Sequence, residues 1–259
     1  GSIMSRIEAV IFDWAGTTVD YGCFAPVQAF KDAFNAYGID PTFDQIREPM
    51  GMLKIDHIKR MLEMPTINEA FKAKYNRNYN KKDIDKIYEL FEASLMAGIT
   101  KHTDIKPYVI ETVNKLKEMK IKIGSTTGYT DMMMEPVLKR AKEQGYCPDC
   151  WYSPDATNHL GRPYPYMIFK NMEALDVTSV KNVVKVGDTI SDIKEGINAG
   201  VISVGVIEGS SEMGLSEEEY NNLSEDEKNN LCQKVKDSFL KAGADYVINN
   251  MSELPSLVL

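Results

Sequence analysis

The stretch IFDWAGTTVD, residues 11–20, decides how the rest of the chain is read. It ends an apolar run, Ile7 to Phe12, on Asp13 and passes through a Gly16-Thr17-Thr18 turn to a second acid, Asp20. A carboxylate at the carboxyl end of a strand is held by a rigid element yet faces whatever binds above the sheet. Such an aspartate can attack phosphorus and form an aspartyl phosphate, dividing one difficult displacement into two easier ones. Taken singly, an aspartate there can equally cap the turn that follows.

Short apolar runs recur at Ile121 to Gly124, Val183 to Val186, Val201 to Val206 and Tyr246 to Ile248, with a weaker one near Trp151. Between most of them the apolar spacing is helical, as in Val109, Val113, Leu116 and in Ile168, Phe169, Met172, Leu175. Strands alternating with helices predict an α/β fold with a Rossmann-like, mostly parallel sheet covered on both faces. The segment 21–103 breaks the alternation, offering only helical periods such as Val27, Phe30, Phe34, Tyr37 and Ile84, Ile87, Phe91, Leu95. It reads as an inserted helical cap domain, leaving 1–20 and 104–259 as the α/β core. Placed directly after the first strand's loop, the cap would sit over the carboxyl ends of the strands, where open α/β sheets bind ligands. The acidic stretch from Ser216 to Lys241 is expected to be helical, burying a stripe at Leu231, Val235 and Phe239.

With 259 residues the chain can bury a sizeable core, and its 43% hydrophobic and 26% charged residues are ordinary for a globular protein. A formal net charge of −8 disfavours a nucleic acid or an anionic membrane as partner. No apolar stretch approaches the ~20 residues of a membrane span, and the start GSIMSRIEAVIF lacks the order of a secretory signal, so the cytoplasm is the expected location. Gly1 and Ser2 read as a cleavage remnant, with Met4 as the native start. The four cysteines make neither a disulfide framework nor a zinc set; Cys147 and Cys150 have CxxC spacing but no second pair.

Three further motifs carry chemistry. VVKVGDTISD, residues 183–192, ends another strand in Asp188 and Asp192. Two carboxylates across a strand-to-helix turn suit Mg2+, with Asp188 the direct ligand and Asp192 supporting it from behind or capping the helix. In IKIGSTTGYT, residues 121–130, a strand runs into hydroxyl residues and Gly128, whose side chains and amides can cradle a phosphoryl group; a plain turn is the alternative. GRPYP, residues 161–165, places Arg162 ahead of a helix, where a guanidinium can fork onto phosphoryl oxygens.

The order and spacing of these four motifs resemble the haloacid dehalogenase-like (HAD) superfamily over nearly the whole chain. The resemblance implies that Asp13 is the nucleophile, that Thr127 with Gly128 and Arg162 bind the phosphoryl group, and that Asp188 and Asp192 serve the metal. The basic residue is usually lysine in that family and is arginine here.

One departure bears on the reaction. Phosphatases of the family carry a second aspartate two residues after the nucleophile to protonate the departing alkoxide, and here that position is Ala15. A carbon leaving group fits instead if a lysine forms an imine one carbon away from the carbon bearing phosphorus, so that carbon departs as a neutral enamine. PMGMLKIDHIKRM, residues 49–61, offers Lys54 among apolar neighbours that would lower its pKa. Together DWAGTTVDYGCFAP, PMGMLKIDH, GSTTGYT, GRPYP and VGDTISD resemble the carbon–phosphorus-cleaving branch of the superfamily, whose substrate is a small phosphonate aldehyde. That likeness implies a Schiff base on Lys54, Mg2+ held by Asp13, the Ala15 carbonyl and Asp188, and a homodimer built through the cap. It also makes Cys23, Met50, Gly51, His57 and Tyr129 candidates for lining the site or handling protons, with His57 on the helical face of Lys54. The alternatives are a phosphate-monoester phosphatase or phosphomutase that manages without the second acid, and a phospho-ligand binding module without turnover.

Overall fold

The computed structural model describes residues 6–259, so Met4 and the two residues read as a remnant lie outside the described residues. Five short strands form one sheet: β1 (Ala9–Phe12), β2 (Lys122–Ser125), β3 (Val183–Gly187), β4 (Ile202–Val206) and β5 (Tyr246–Ile248). Their order is β2-β1-β3-β4-β5, and every neighbouring pair is parallel. β1 and β3 are buried along their whole length, as expected for strands covered on both faces. The fold is therefore the α/β class read from the sequence.

Between β1 and β2 the chain is helical: α1 (Phe24–Ala36), α2 (Phe43–Arg47), α3 (Lys54–Glu63), α4 (Pro65–Tyr75) and α5 (Lys81–Gly98), then α6 (Val109–Glu118) back in the core. Capping boxes fix two of these starts, Thr42 with Gln45 ahead of α2 and Asn80 with Asp83 ahead of α5. α1 packs on α5 through Phe30 and Phe91, stacked at 4.1 Å, with Phe34, Ile58, Leu62 and Phe71 buried beside them. Among the large apolar side chains that stay exposed, only Phe43 belongs to this helical unit. The remaining helices cover the sheet: α7 (Asp131–Glu143), α8 (Tyr166–Ala174), α9 (Ile190–Ala199), α10 (Glu217–Asn221), α11 (Glu225–Lys241) and α12 (Leu254–Val258).

Two expectations need correction. The apolar run near Trp151 forms no strand; it meets β2's extension through a single bridge between Thr126 and Tyr152, since Pro148 and Pro154 flank it and limit pairing. The acidic stretch 216–241 is two helices, because Ser224 makes a capping box with Glu227 and restarts the helix. In α11 Val235 and Phe239 are buried while Leu231 is half-buried.

Candidate active site

Strand register brings the motifs together. Phe12 pairs with Ser125 on one side and Val186 on the other, so Asp13, Thr126 and Gly187 leave the sheet side by side. The amide of Asp13 donates to the Val186 carbonyl at 3.0 Å, and that of Thr126 to the Phe12 carbonyl at 3.0 Å. Next in sequence stand Thr127 and Asp188, both buried. Gly16 holds φ +84°, and a Cβ there would meet Asp188 Oδ2 at 2.0 Å; the turn after Asp13 therefore lies directly on the second acid.

A small cavity opens above these strand ends, lined by Asp13, Ala15, Cys23, Met50, Gly51 and Lys54 and by Thr127, Gly128, Tyr129 and Arg162. All of these residues were singled out in the sequence; Pro26 and Thr189 complete the wall unforeseen. His57 is not on it. Its Nε2 donates to the Ile46 carbonyl at 2.8 Å and its ring stacks on Phe30 at 3.9 Å, which leaves Nδ1 without a partner. Burial, helped by the charge of Lys54, holds this imidazole well below its ordinary pKa and so neutral.

Lys54, the first residue of α3, is 3% exposed. Its Nζ donates to the Met50 thioether at 3.9 Å, and the Tyr129 and Phe30 rings lie at 5.3 and 5.9 Å. Burial pulls its pKa down to about 8, opposed by the negative charges of Cys23 and Asp13. The amine thus lies on the cap side of the cavity and sheds its proton more readily than a solvated lysine.

On the sheet side, Arg162 Nη2 lies 3.0 Å from Asp13 Oδ1 and donates to Thr126 Oγ1 at 2.8 Å. Its Nη1 donates to the Gly51 carbonyl of the cap at 2.9 Å, and Nε to Glu195 at 2.8 Å. Glu195 and Lys185 were missed by the sequence reading. Lys185 Nζ sits 2.7 Å from Asp192 and 2.9 Å from Glu195, all three fully buried. A lysine inside an otherwise apolar central strand was the available signal, because such a charge requires buried partners. Thr127 Oγ1 accepts the Tyr129 amide at 3.0 Å, which leaves its hydroxyl hydrogen for an incoming oxygen.

Asp13, Asp188 and Asp192 approach one another closely enough for a metal ion, with ligand oxygens within 4.8 Å. Asp192 is already engaged: Oδ2 accepts from the amides of Asp188 and Thr189 and from the Thr189 hydroxyl, and Oδ1 faces Lys185 and Arg162. It both caps α9 and braces Asp188, the two roles left open by the sequence. Asp188 accepts Thr17 Oγ1 at 2.8 Å and the Ser211 amide at 2.9 Å but has no ion-pair partner among the described residues. Burial and then the neighbouring Asp192 charge raise its pKa to about 6, and burial raises Asp13 well above the usual range against the pull of Arg162. Surplus buried negative charge of this kind fits a divalent cation bound by oxygen donors.

The haloacid dehalogenase-like hydrolase pattern matches residues 7–200, and the chain belongs to that family of enzymes. A phosphonoacetaldehyde hydrolase of Lysinibacillus sphaericus is 53% identical, over 98% of this chain and 94% of its own length. Another, from Parabacteroides distasonis, is 53% identical over 98% and 97%. A crystal structure of a phosphonoacetaldehyde hydrolase-like protein from Oleispira antarctica superimposes with a TM-score of 0.94 at 38% identity, over 100% of this chain and 93% of the other. Within the hydrolase class the chain thus falls in the phosphonoacetaldehyde hydrolase family.

Proposed function

We propose that the protein hydrolyses the carbon–phosphorus bond of phosphonoacetaldehyde to acetaldehyde and phosphate, in phosphonate degradation. The observation that carries this reading is that a buried amine, Lys54, and a buried carboxylate, Asp13, line one small cavity in which Ala15 stands where a leaving-group acid would be.

In this proposal the free amine of Lys54 adds to the aldehyde carbon; the carbinolamine hydroxyl takes a proton from solvent and leaves as water, giving a protonated imine. His57, three residues further along α3, stays neutral behind the cavity wall and shares the Phe30 ring with Lys54. Asp13 then attacks phosphorus. The carbon–phosphorus electron pair moves into the carbon–carbon bond while the iminium nitrogen accepts the displaced pair, so the leaving group is a neutral enamine and needs no acid at position 15. Protonation and hydrolysis of the enamine return Lys54 and release acetaldehyde; a water molecule attacks the aspartyl phosphate and releases phosphate. Arg162, Thr127 and the amide of Gly128 face the phosphoryl oxygens. Mg2+, held by Asp13, the Ala15 carbonyl and Asp188, would neutralise phosphoryl charge when bound. A homodimer through the cap and a cytoplasmic location complete the proposal; none of the described helices is long and apolar enough to cross a membrane.

Incubation with phosphonoacetaldehyde and Mg2+ should release acetaldehyde and phosphate in equal amounts. Brisk phosphate release from sugar phosphates without acetaldehyde from the phosphonate would overturn the reading in favour of an ordinary phosphatase.

Two expected results follow from the site. Since Lys54 reacts only as the free amine and its pKa is about 8, kcat/KM should rise with pH below that value and level off above it. A profile flat between pH 6 and 9, measured in one buffer series, would contradict it (about a tenfold rise per unit is expected on the acid limb). Gly128→Ala should lower kcat/KM by up to about a hundredfold, the scale of a small misplacement of reacting groups. An added Cβ would stand 2.8 Å from the Gly51 and Met52 carbonyls, so the loop carrying Lys54 must lift. Steady-state kinetics alongside a melting curve separate this from unfolding.

A further inference from the structure

Two of the contacts between the cap and the core lie close to the helix that carries Lys54. One is the loop before α3, where Gly51 accepts Arg162 and lies against Gly128. The other lies outside the cavity and has no part in the chemistry proposed above. Arg47, the last residue of α2, sends Nη1 to the Gly22 carbonyl at 2.7 Å and to the Ser211 hydroxyl and carbonyl at 3.3 and 3.4 Å. Its guanidinium also lies 5.1 Å from the centre of the Phe24 ring. Gly22 belongs to the segment by which the chain leaves the core, and Ser211 to the core loop after β4.

Both ends of this contact lead to reacting groups. The Ser211 amide donates to Asp188 Oδ2, while on the cap side the Ile46 carbonyl, next to Arg47, accepts His57 in the helix that begins with Lys54. We propose that Arg47 is a positioning residue that latches the cap onto the Ser211 loop and the Gly22 linker, and so holds Lys54 over the strand ends. A charged donor shared among three acceptors is worth more than a neutral hydrogen bond, and its site beyond the cavity lets it act without touching substrate.

Cys23 supplies a test that needs no turnover. It lines the cavity and is 2% exposed, whereas Cys147 is exposed and Cys150 and Cys232 are half-buried. Iodoacetamide should modify Cys23 in the full chain only when the cap lifts, and peptide mass mapping reads each thiol separately. In Arg47→Met, which keeps the apolar stem but no donor, Cys23 should react about tenfold faster, the factor for a lost charged hydrogen bond. Arg47→Lys should stay within about threefold of the parent, because a point charge retains part of the contact. The positive charge of Arg47 favours the Cys23 thiolate, so its removal alone would slow the reaction, and acceleration reports opening. Ser211→Ala, which keeps the amide to Asp188, should give a smaller acceleration and serves if Arg47→Met does not fold. Unchanged Cys23 protection in Arg47→Met, or an equal acceleration at Cys23, Cys150 and Cys232, would overturn the proposal. The effect on turnover rests on the reaction proposed above; the thiol protection does not, so the two can fail separately.

Discussion

Lys54→Arg should lower kcat for phosphonoacetaldehyde by about 10^4-fold or more, the scale seen when a nucleophile acting as part of a unit is removed. A guanidinium stays protonated at any working pH and has no lone pair with which to form an imine. The site cannot compensate, because no other lysine lines the cavity and Lys106, also buried with its pKa lowered to about 8, is committed to the Gly16 carbonyl at 2.6 Å. Borohydride added with the aldehyde should leave a reduced adduct on Lys54 of the parent enzyme and none at this position in the variant. An unmodified Lys54 in parent enzyme that turns over would exclude the imine. The melting curve needs to accompany the kinetics, since a larger charged group replaces a side chain that is 3% exposed.

Asp13→Asn should abolish phosphate release while leaving the imine. Loss of the nucleophile is expected to cost about 10^4 to 10^6-fold in kcat. The amide cannot attack phosphorus, but the cavity and Lys54 remain, so borohydride should still trap the aldehyde on Lys54. That split is the sharpest consequence of placing the two reagents on opposite walls of the cavity. If Asp13→Asn lost both trapping and turnover while staying folded, the steps would not be separable as described. Stability will also respond, because Arg162 keeps its contacts to Thr126, Gly51 and Glu195 but loses its ion pair with Asp13.

How far the site was legible follows from where each group sits in the chain. Asp13 and Asp188 each end a β-branched apolar run, so strand period and a terminal acid were enough to mark them. Lys54 could be singled out only because Ala15 removed the usual acid and raised the question of the leaving group. Glu195, which accepts Arg162 Nε, was invisible for a different reason. Glu195 lies mid-helix in α9, where a glutamate ordinarily faces solvent, and only the fold turns it inward onto Arg162 and Lys185. Arg47 was equally silent, since nothing local shows that the last turn of α2 reaches the Ser211 loop. The β1 to β5 pattern was readable apart from Trp151, where prolines curtail pairing, and the helical nature of 21–103 followed from its uniform 3.6-residue period.

The register of β1 against β3 has a wider consequence. Because Phe12 pairs with Val186, Asp13 stands opposite Gly187, and Asp188 follows one residue later on a strand ~4.8 Å to the side, so both acids are fixed by one ladder. Half the toolkit is thereby cast into the chassis, while the amine that selects an aldehyde in the proposed reaction rides on a separate attachment. Refitting that attachment would redirect the same phosphorus chemistry to another class of bond without recasting the frame beneath it.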